Sequence, residues 1–359
     1  GRMTLMRITA LAGGIGGARF LRGLRDHLTE AAGDHTITVV GNVGDDIWLF
    51  GLKVSPDLDT VMYTLGGGID EDRAWGRSDE TFNAAAELKA YKAKPDWFGL
   101  GDRDLATHLI RTQMLEAGYP LSTVTAALCA RWQPGVEILP ASDERLETHV
   151  VVEDGVGDRR AMHFQEWWVR HRASLPAEQF VYIGADEARP APGVLEAIAE
   201  ADVVVLPPSN PVVSIGAITA IPGISAAISQ TPAPVVGVSG IVAGAPVRGM
   251  ADKCLEAIGV STTSSAVALH YGARPSGLLD GWLVDTSDAD QMDAVNTDPR
   301  LPVISFTGSD AVGERIRRDA PGKQVILELG GDAAVLVEPD WPDLEGAAER
   351  IALFGNYQA

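Results

Sequence analysis

The sequence is poor in cysteine and has no long apolar run. Its 2 cysteines, Cys129 and Cys254, lie far apart without metal-ligand spacing, which excludes a small disulfide-stapled scaffold and is typical of a reducing cytoplasm. No apolar run approaches the roughly 20 residues that a membrane-spanning helix needs, and no charged-then-apolar segment opens the chain. We therefore expect a cytoplasmic protein that does not insert into a membrane.

Basic residues are also scarce. The chain has 29 Lys and Arg against 49 Asp and Glu, a formal net charge of -20, which argues against a nucleic-acid or anionic-membrane partner. A phosphate-bearing substrate would need a metal ion, backbone N–H groups or a few well-placed arginines to bind such a protein. At 359 residues the chain is long enough for one large α/β domain with an insertion, or for two domains.

A glycine-rich turn follows the first strand, predicted at residues 7–11, and a helix is predicted at residues 18–28. The glycines of the turn are Gly13, Gly14, Gly16 and Gly17. Such a turn exposes backbone N–H groups at a positive helix end, which suits a phosphate. The alternative is that the glycines only allow close packing of the helix on the strand. Counted from Gly14, the third glycine of a dinucleotide fingerprint falls on Arg19, so NAD binding is not expected.

Two acidic turns follow the next strand, predicted at residues 36–40. Their polar side chains are Asn42, Asp45, Asp46, Asp57, Asp59 and Thr60. In an extended segment, Asp57 and Asp59 would project from one edge. Because Mg²⁺ takes only one or two carboxylates and leaves its other positions to water and substrate phosphates, the set predicts a magnesium site. The alternative is that Asp45 and Asp57 cap helices or close Asx-turns.

The alternation of strand and helix breaks down between residues 69 and 170, which predicts an insertion or a smaller subdomain. Trp75 and other aromatic residues lie within it and indicate either a deep pocket or core packing. A helix is predicted at residues 102–111, with polar side chains on one face. These side chains are Asp104, His108 and Arg111. The alternative is an amphipathic surface helix with ion pairs.

Two later strands, predicted at residues 203–206 and 234–238, both end in turns that contain serine. The polar residues and glycines there are Ser209, Asn210, Ser214, Gly216, Ser239 and Gly240. Because ligands in α/β sheets bind at the carboxyl ends of strands, the recurrence predicts a pocket. A helix at residues 194–200 precedes the first of these strands. The expected fold is α/β: a Rossmann-like three-layer α/β/α arrangement with a largely parallel sheet and an inserted smaller subdomain.

Six motifs together resemble the 2-phospho-L-lactate transferase family of coenzyme F420 biosynthesis, the CofD or FbiA type. They are GGIGGAR at residues 13–19, NVGDD at 42–46, SPDLDT at 55–60, GDRDLATHLIR at 101–111, PPSNPVVSIG at 207–216 and HYG at 270–272. The resemblance implies transfer of a phosphoenolpyruvyl or 2-phospholactyl group from a guanosine-diphosphate-activated donor to the deazaflavin Fo. GMP would leave, giving dehydro-F420-0 or F420-0. It also implies Mg²⁺ as cofactor and a homodimer.

The resemblance, together with the turns described above, assigns roles to particular residues. The metal candidates are Asp45, Asp46 and Asp59, and the catalytic candidates are Asp57, Asp59 and Arg103. The substrate-binding candidates are Gly13, Gly14, Gly16, Gly17, Asn42, Asp46, Thr60, Trp75, His108, Ser209, Asn210, Ser214, Gly216, Ser239 and Gly240. We expect Asp59→Ala to abolish turnover while the protein stays folded. The alternative function is a regulatory protein that resembles the gluconeogenesis factor family and binds a nucleotide sugar without turnover.

The last part of the chain resembles a different family. We expect a transferase domain at residues 3–295, whereas residues 296–359 resemble a truncated aldehyde dehydrogenase. In that family the glutamate at Glu328 acts as general base, but the sequence ends at Ala359, before the nucleophilic cysteine. We therefore expect no oxidoreductase activity from this segment. Strands are predicted at residues 301–306, 325–329 and 333–337, and helices at 309–318 and 344–354.

Overall fold

A computed structural model describes residues 6–30, 34–153, 157, 159–291, 303–308, 310–320 and 322–329. The strands are β1 (Met6–Ala12), β2 (His35–Gly41), β3 (Ile47–Leu49), β4 (Leu52–Val54), β5 (Glu137–Pro140), β6 (Glu147–Glu153), β7 (Arg159–His163), β8 (Ala177–Ile183), β9 (Val203–Leu206), β10 (Val235–Val238), β11 (Ile241–Val242), β12 (Ala245–Pro246), β13 (Gly281–Leu283), β14 (Val303–Gly308) and β15 (Gln324–Leu329).

The helices alternate with these strands through much of the chain. They are α1 (Gly14–Glu30), α2 (Pro56–Leu65), α3 (Asn83–Ala90), α4 (Asp104–Glu116), α5 (Leu121–Trp132), α6 (Val194–Glu200), α7 (Ala217–Thr219), α8 (Ile224–Gln230), α9 (Ala251–Ala257), α10 (Ser264–Tyr271) and α11 (Asp310–Asp319). Short π-helical turns occur at Glu166–Arg170 and Pro211–Gly216, and short 3-10 turns at Ala185–Glu187 and Thr286–Gln291.

Six parallel strands form the main sheet, in the order β13-β10-β9-β1-β2-β5. The chain starts at β1, moves outward through β2 to β5, and then returns to fill the other side through β9 and β10. This is the order of a doubly wound, Rossmann-like sheet, so its direction of growth reverses between β1 and β9. Ala10 pairs with Val39 on one side and with Val205 on the other. The carboxyl ends of β1 and β9 therefore open onto the crevice where such folds bind ligands.

Apolar residues on both faces of the central strands explain why helices flank the sheet. In β9, Val204, Val205 and Leu206 are all buried, as expected for a strand with helices on each face. Helix α1 packs on α2 and β2, and α6 packs on α8 and β1. The predicted Rossmann-like α/β fold is confirmed. Within the described ranges, no single helix is long and apolar enough to cross a membrane.

The segment predicted as an insertion, residues 69–170, contributes both to the main sheet and to a smaller sheet. Its strand β5 pairs with β2 at the edge of the main sheet, and its helix α5 packs on α2, α4 and β5. A smaller antiparallel sheet of order β7-β6-β8 runs on to Ile183, beyond the expected end of the insertion. The sequence of β5, Glu137–Pro140, is only four residues long, which is too short to show a clear period.

The contacts divide the chain into two compact units, Gly1–Val295 and Asn296–Ala359. In the second unit, β14 and β15 pair in parallel, with α11 between them in sequence. The strands predicted at residues 301–306 and 325–329 and the helix predicted at 309–318 match these elements. The strand and helix predicted at 333–337 and 344–354 lie outside the described residues.

Candidate active site

The glycine turn after β1 packs against the loop after β9, at the reversal point of the sheet. Helix α1 begins within this turn, at Gly14, rather than at residue 18 as predicted. The backbone N–H of Gly13 donates to Ser209 Oγ (3.1 Å), and Ser209 Oγ donates back to the Gly13 carbonyl (2.9 Å). A Cβ atom on Gly16 would collide with the Pro208 carbonyl, and one on Gly17 with the Ser209 hydroxyl. These glycines therefore allow close packing, mainly against the loop, and their role in substrate binding stays a prediction.

Asn42 is the centre of a buried hydrogen-bond network at the end of β2. Its Nδ2 lies 2.9 Å from Asp57 Oδ2, 3.2 Å from Asp45 Oδ1 and 3.1 Å from the Val213 carbonyl. Its Oδ1 accepts the backbone N–H of Gly44 (2.8 Å). One side chain thus links the first acidic turn, helix α2 and the loop after β9, which are far apart in sequence.

Two of the carboxyl groups in this network have strongly raised pKa values. Burial, and then the charge of Asp57, raise the pKa of Asp45 well above its usual range. Burial also raises the pKa of Asp57 to about 6, although the hydrogen bond from Asn42 opposes the rise. The hydroxyl of Ser214 also contacts Asp57 Oδ2, at 3.4 Å. Buried carboxyl groups close to one another favour either a shared proton or a bound cation.

Asp46 faces a different set of partners from Asp45. The β3–β4 hairpin, paired antiparallel, brings buried Lys53 beside it, with Nζ 3.0 Å from Asp46 Oδ2. Ser55 Oγ donates to the same oxygen (2.9 Å). Burial raises the pKa of Asp46, and the positive charge of Lys53 acts against that rise.

Asp59 belongs to a second buried cluster, formed between α2 and α4. Its Oδ1 pairs with Arg111, and His108 Nδ1 lies 3.7 Å from its Oδ2. His108 Nε2 in turn lies 3.3 Å from Asp104 Oδ2, and Tyr63 donates to Asp104 Oδ1 (2.6 Å). The predicted polar face of the helix at 102–111 is confirmed, although His108 and Arg111 are buried and Asp104 is half-buried, so they do not form surface ion pairs.

Asp57 and Asp59 do not project from one edge as expected for an extended segment. Pro56 opens helix α2, and both aspartates lie in its first turn, where their charge is favourable at the positive helix end. Side chains that are two residues apart on a helix point in directions that differ by more than half a turn. The two carboxylates therefore point to different clusters: Asp57 to Asn42 and Asp59 to Arg111.

Comparison with known proteins places this arrangement in a family. The family described as 2-phospho-L-lactate transferase CofD matches residues 8–304. The chain belongs to the CofD family. A second match, to the aldehyde dehydrogenase family, covers residues 259–357, in agreement with the resemblance of residues 296–359.

The curated relatives of this CofD-family chain are similar over most of their length. A protein of Streptomyces coelicolor named phosphoenolpyruvate transferase is 67% identical over 315 residues, covering 87% of this chain and 96% of the relative. Proteins of the same name from Thermobifida fusca and Mycolicibacterium smegmatis are 66% and 61% identical, covering 79% and 87% of this chain and 88% and 97% of their own.

Solved structures share the fold at low identity. Two crystal structures of a Bacillus halodurans protein, a member of the UPF0052 family, match with TM-scores of 0.51 and 0.53 at 18% and 21% identity. They cover 97% and 91% of this chain and 100% and 93% of their own. This likeness shows a common fold with the CofD-family chain.

The buried aspartates of the CofD-family chain offer oxygen atoms of the kind that Mg²⁺ binds. In the part of the chain that the structure describes, no group of three or more His, Cys, Asp or Glu side chains could hold a metal by itself. Asp46 Oδ1 and Asp59 Oδ2 are nevertheless buried without a hydrogen-bond partner. Because Mg²⁺ needs only one or two carboxylates and takes substrate phosphates for the rest, these two oxygens fit such an ion. The role of Asp45 as a ligand stays a prediction.

The loops after β9 and β10 lie next to each other, and the pocket predicted from the recurrence of their sequences stays a prediction. A Cβ on Gly240 would lie 3.6 Å from Pro208. The Ser239 hydroxyl is engaged within the protein, with Ser264 Oγ and the Ile241 backbone. Asn210 Oδ1 accepts the N–H groups that open the next turn, Pro211–Gly216. A substrate role for these residues in the CofD-family protein stays a prediction, because their visible contacts shape the loops.

Trp75 and Arg103 are both exposed, in contrast to the four buried aspartates. The Trp75 side chain is 47% exposed, and Arg103, just before α4, is exposed as well. The roles predicted for Trp75 and Arg103 stay predictions. A cavity of about 280 Å³ elsewhere in the chain is lined by His270, Tyr271 and Gly216, among others, but by none of the four buried aspartates.

Sequence reasoning missed several residues that hold the acidic turns in place. His163 Nε2 lies 3.1 Å from the Asp46 carbonyl, its Nδ1 accepts the N–H of Gln165, and the Gln165 side chain reaches Asp45 (3.4 Å). Lys53 was missed although it lies just before SPDLDT. A lone lysine between two apolar residues of a short strand was the available signal for Lys53, whereas nothing local marks His163 or Gln165.

Proposed function

We propose that this protein transfers a phosphoenolpyruvyl group from a guanosine-diphosphate-activated donor to the terminal ribityl hydroxyl of Fo. The hydroxyl oxygen forms a bond to the phosphorus that carries the enolpyruvyl group. The bond from that phosphorus to the bridging oxygen breaks, GMP leaves with the electron pair, and the hydroxyl proton is released. Membership of the CofD family and the name of the similar relatives support the reaction class.

The observation that carries the proposal is the buried acidic network around Asn42, at the point where the glycine turn, α2 and the loop after β9 meet. Phosphoryl transfer needs positioning and charge neutralisation more than it needs a protein nucleophile. Asp57 is suited to accept the hydroxyl proton, because burial brings its pKa to about 6, close to the working pH. Arg103, which is exposed, is proposed to meet a substrate phosphate or the deazaflavin ring.

Mg²⁺ is the proposed cofactor. Asp46 and Asp59 would hold it through the oxygens that lack a partner within the chain. When bound, the ion would neutralise negative charge on the diphosphate and on the leaving GMP. The homodimer implied by the family resemblance stays a prediction.

The decisive experiment mixes the protein with Fo, Mg²⁺ and the guanosine-activated enolpyruvyl donor and measures GMP by chromatography. We expect GMP and a phosphorylated deazaflavin in equal amounts. A deazaflavin without the ribityl chain is the matched control and should release no GMP, because the attacking hydroxyl is missing. Absence of GMP with Fo would refute the proposal.

A parallel reaction with the phospholactyl donor separates the two possible substrates. The name of the relatives favours the enolpyruvyl donor, so we expect it to give the larger kcat/KM. The alternative function, a regulatory protein that binds a nucleotide sugar without turnover, predicts saturable binding of the sugar nucleotide and no GMP in either reaction.

A further inference from the structure

Asp46 and Asp59 have the same unusual pattern of contacts at their two carboxylate oxygens. One oxygen of each is occupied by a buried cation: Lys53 Nζ lies 3.0 Å from Asp46 Oδ2, and Arg111 pairs with Asp59 Oδ1. The second oxygen of each, Asp46 Oδ1 and Asp59 Oδ2, is buried and has no hydrogen-bond partner. His108 Nδ1 lies 3.7 Å from Asp59 Oδ2.

Asp104, a nearby carboxylate in the same structure, shows the contrast. Its Oδ1 accepts the Tyr63 hydroxyl (2.6 Å), and its Oδ2 lies 3.3 Å from His108 Nε2. Its Oδ1 is thus hydrogen-bonded within the chain, which is the normal state of a buried polar group. An unpaired buried carboxylate oxygen costs stability. Its occurrence on both Asp46 and Asp59 indicates a partner that arrives with the substrates.

Lys53 and Arg111 are connected to each other through strand β4 and helix α4. Lys53 lies in the middle of β4, and its backbone N–H donates to Thr112 Oγ1 of α4 (2.8 Å). Arg111, the residue before Thr112, reaches the Lys53 carbonyl with Nη1 (3.4 Å). The same Nη1 lies 3.1 Å from His108 Nδ1. Strand β4 and helix α4 therefore fix Lys53 and Arg111 relative to each other.

We propose that Lys53 and Arg111 are positioning residues, which each occupy one oxygen of Asp46 or Asp59 and leave the second oxygen to the substrate complex. This inference rests on the proposed function. The free oxygens would receive groups of positive character, either the attacking O–H or a divalent cation bound to the diphosphate. When one oxygen of a carboxylate is held by a cation, the group does not rotate, so its other oxygen keeps a fixed direction.

The test compares Lys53→Gln and Lys53→Arg with the wild type in the GMP-release assay. We expect Lys53→Gln to lower kcat by about 10- to 100-fold, the usual effect of losing a residue that orients a ligand, with less change in the KM of the guanosine donor. Lys53→Arg restores a cation beside Asp46 and should recover much of the loss. Equal rates for Lys53→Gln and wild type, or no recovery in Lys53→Arg, would overturn the inference.

Arg111 needs a second variant because its removal leaves Asp59 buried without a counter-charge. Arg111→Lys keeps the charge but loses the forked contact with His108 and the Lys53 carbonyl, so we expect a partial loss of kcat with a folded protein. If Arg111→Lys fails to fold, the Lys53→Gln and Lys53→Arg variants decide the inference, because they leave the pair of Arg111 and Asp59 intact. Wild-type kcat in Arg111→Lys would count against the inference.

Arg274, a half-buried arginine with many hydrogen bonds, supplies the control for the loss of an arginine that is held within the fold. Its guanidinium binds the carbonyls of Ile228, Thr231 and Ala233 and the carboxylate of Asp280, away from the acidic turns. Arg274→Lys should lower the melting temperature without lowering kcat. If its kcat falls as far as that of Arg111→Lys, the effect is structural and the inference is wrong. A wild type that releases no GMP would instead refute the proposed function itself.

Discussion

Asn42 and Asp57 are joined by a buried hydrogen bond in which Asn42 Nδ2 donates to Asp57 Oδ2 across 2.9 Å. Asn42 follows strand β2 and Asp57 lies in the first turn of α2. The same Nδ2 lies 3.2 Å from Asp45 Oδ1. The amide therefore separates two carboxyl groups that would otherwise face each other, and it ties the acidic turn to the helix.

Asn42→Asp should destabilise the protein and lower its activity. The substitution removes the shared donor and adds a carboxylate beside Asp45 and Asp57, which should lower the unfolding free energy by about 1–3 kcal/mol. Chemical unfolding at neutral pH measures it. Asn83→Asp is the matched control, because Asn83 also donates to an aspartate, Asp102, but at the exposed surface. Equal losses in both variants would contradict the explanation.

Asp59 is expected to be more important for stability than its position in an acidic turn suggests. Asp59→Ala removes the counter-charge of buried Arg111, and breaking such a pair on one side costs about 3–5 kcal/mol. The expectation that this variant stays folded is therefore narrowed to a folded protein with a lower melting temperature. Asp59→Asn keeps the shape and one acceptor, so it should melt closer to wild type while GMP release still falls at least 100-fold. Thermal unfolding and the GMP assay together check both statements.

Gly13→Ala and Gly23→Ala should have opposite effects, although both lie in or beside α1. A Cβ on Gly13 would collide with Asp57 Oδ2 and with Ser214, whereas one on Gly23 meets nothing within 4 Å. We expect Gly13→Ala to lower both the melting temperature and kcat. Gly23→Ala should raise the unfolding free energy by about 0.5–1 kcal/mol, with unchanged turnover. A stable and active Gly13→Ala variant would show that the turn can relax.

His163 should contribute to the loss of stability in acid. Burial lowers the pKa of His163 to about 4 from an ordinary 6.5. As the pH falls from 6.5 towards 4, the unfolded chain binds a proton at this residue and the folded protein does not, so stability is lost in that window. His163→Gln removes this proton uptake. The difference in melting temperature between wild type and His163→Gln should therefore shrink as the pH falls from 7 to 4. A constant difference would argue against a neutral buried histidine.

Removal of the chain after residue 300 should leave transferase activity intact, if the second unit is an appendage. All of the residues removed lie in the unit Asn296–Ala359. The intact protein should also show no NAD binding by calorimetry, because a dehydrogenase site needs its cysteine, its glutamate and a complete dinucleotide domain together. An inactive but soluble truncation would show that the segment completes the transferase.

The sequence alone determined the features that depend on local pattern. Strand β9 and helix α6 have the predicted bounds, 203–206 and 194–200, because a run of β-branched residues and a helical period are both visible within a few residues. The polar face of α4, with Asp104, His108 and Arg111, followed from helical spacing. The glycine turn and the motif order also led to the CofD family, with Asn42, Asp45, Asp57 and Asp59 among the candidates.

Only the tertiary structure decided how these residues are combined. Gly13 and Ser209 are 196 positions apart, and Asn42 and the Val213 carbonyl are 171 apart, so no local pattern can report their contact. Because helix α2 begins at Pro56, Asp57 and Asp59 point to different clusters. The β3–β4 hairpin places Lys53 beside Asp46. Periodicity states which face of an element is buried, but the partner of a buried charge is chosen by the elements that pack against it.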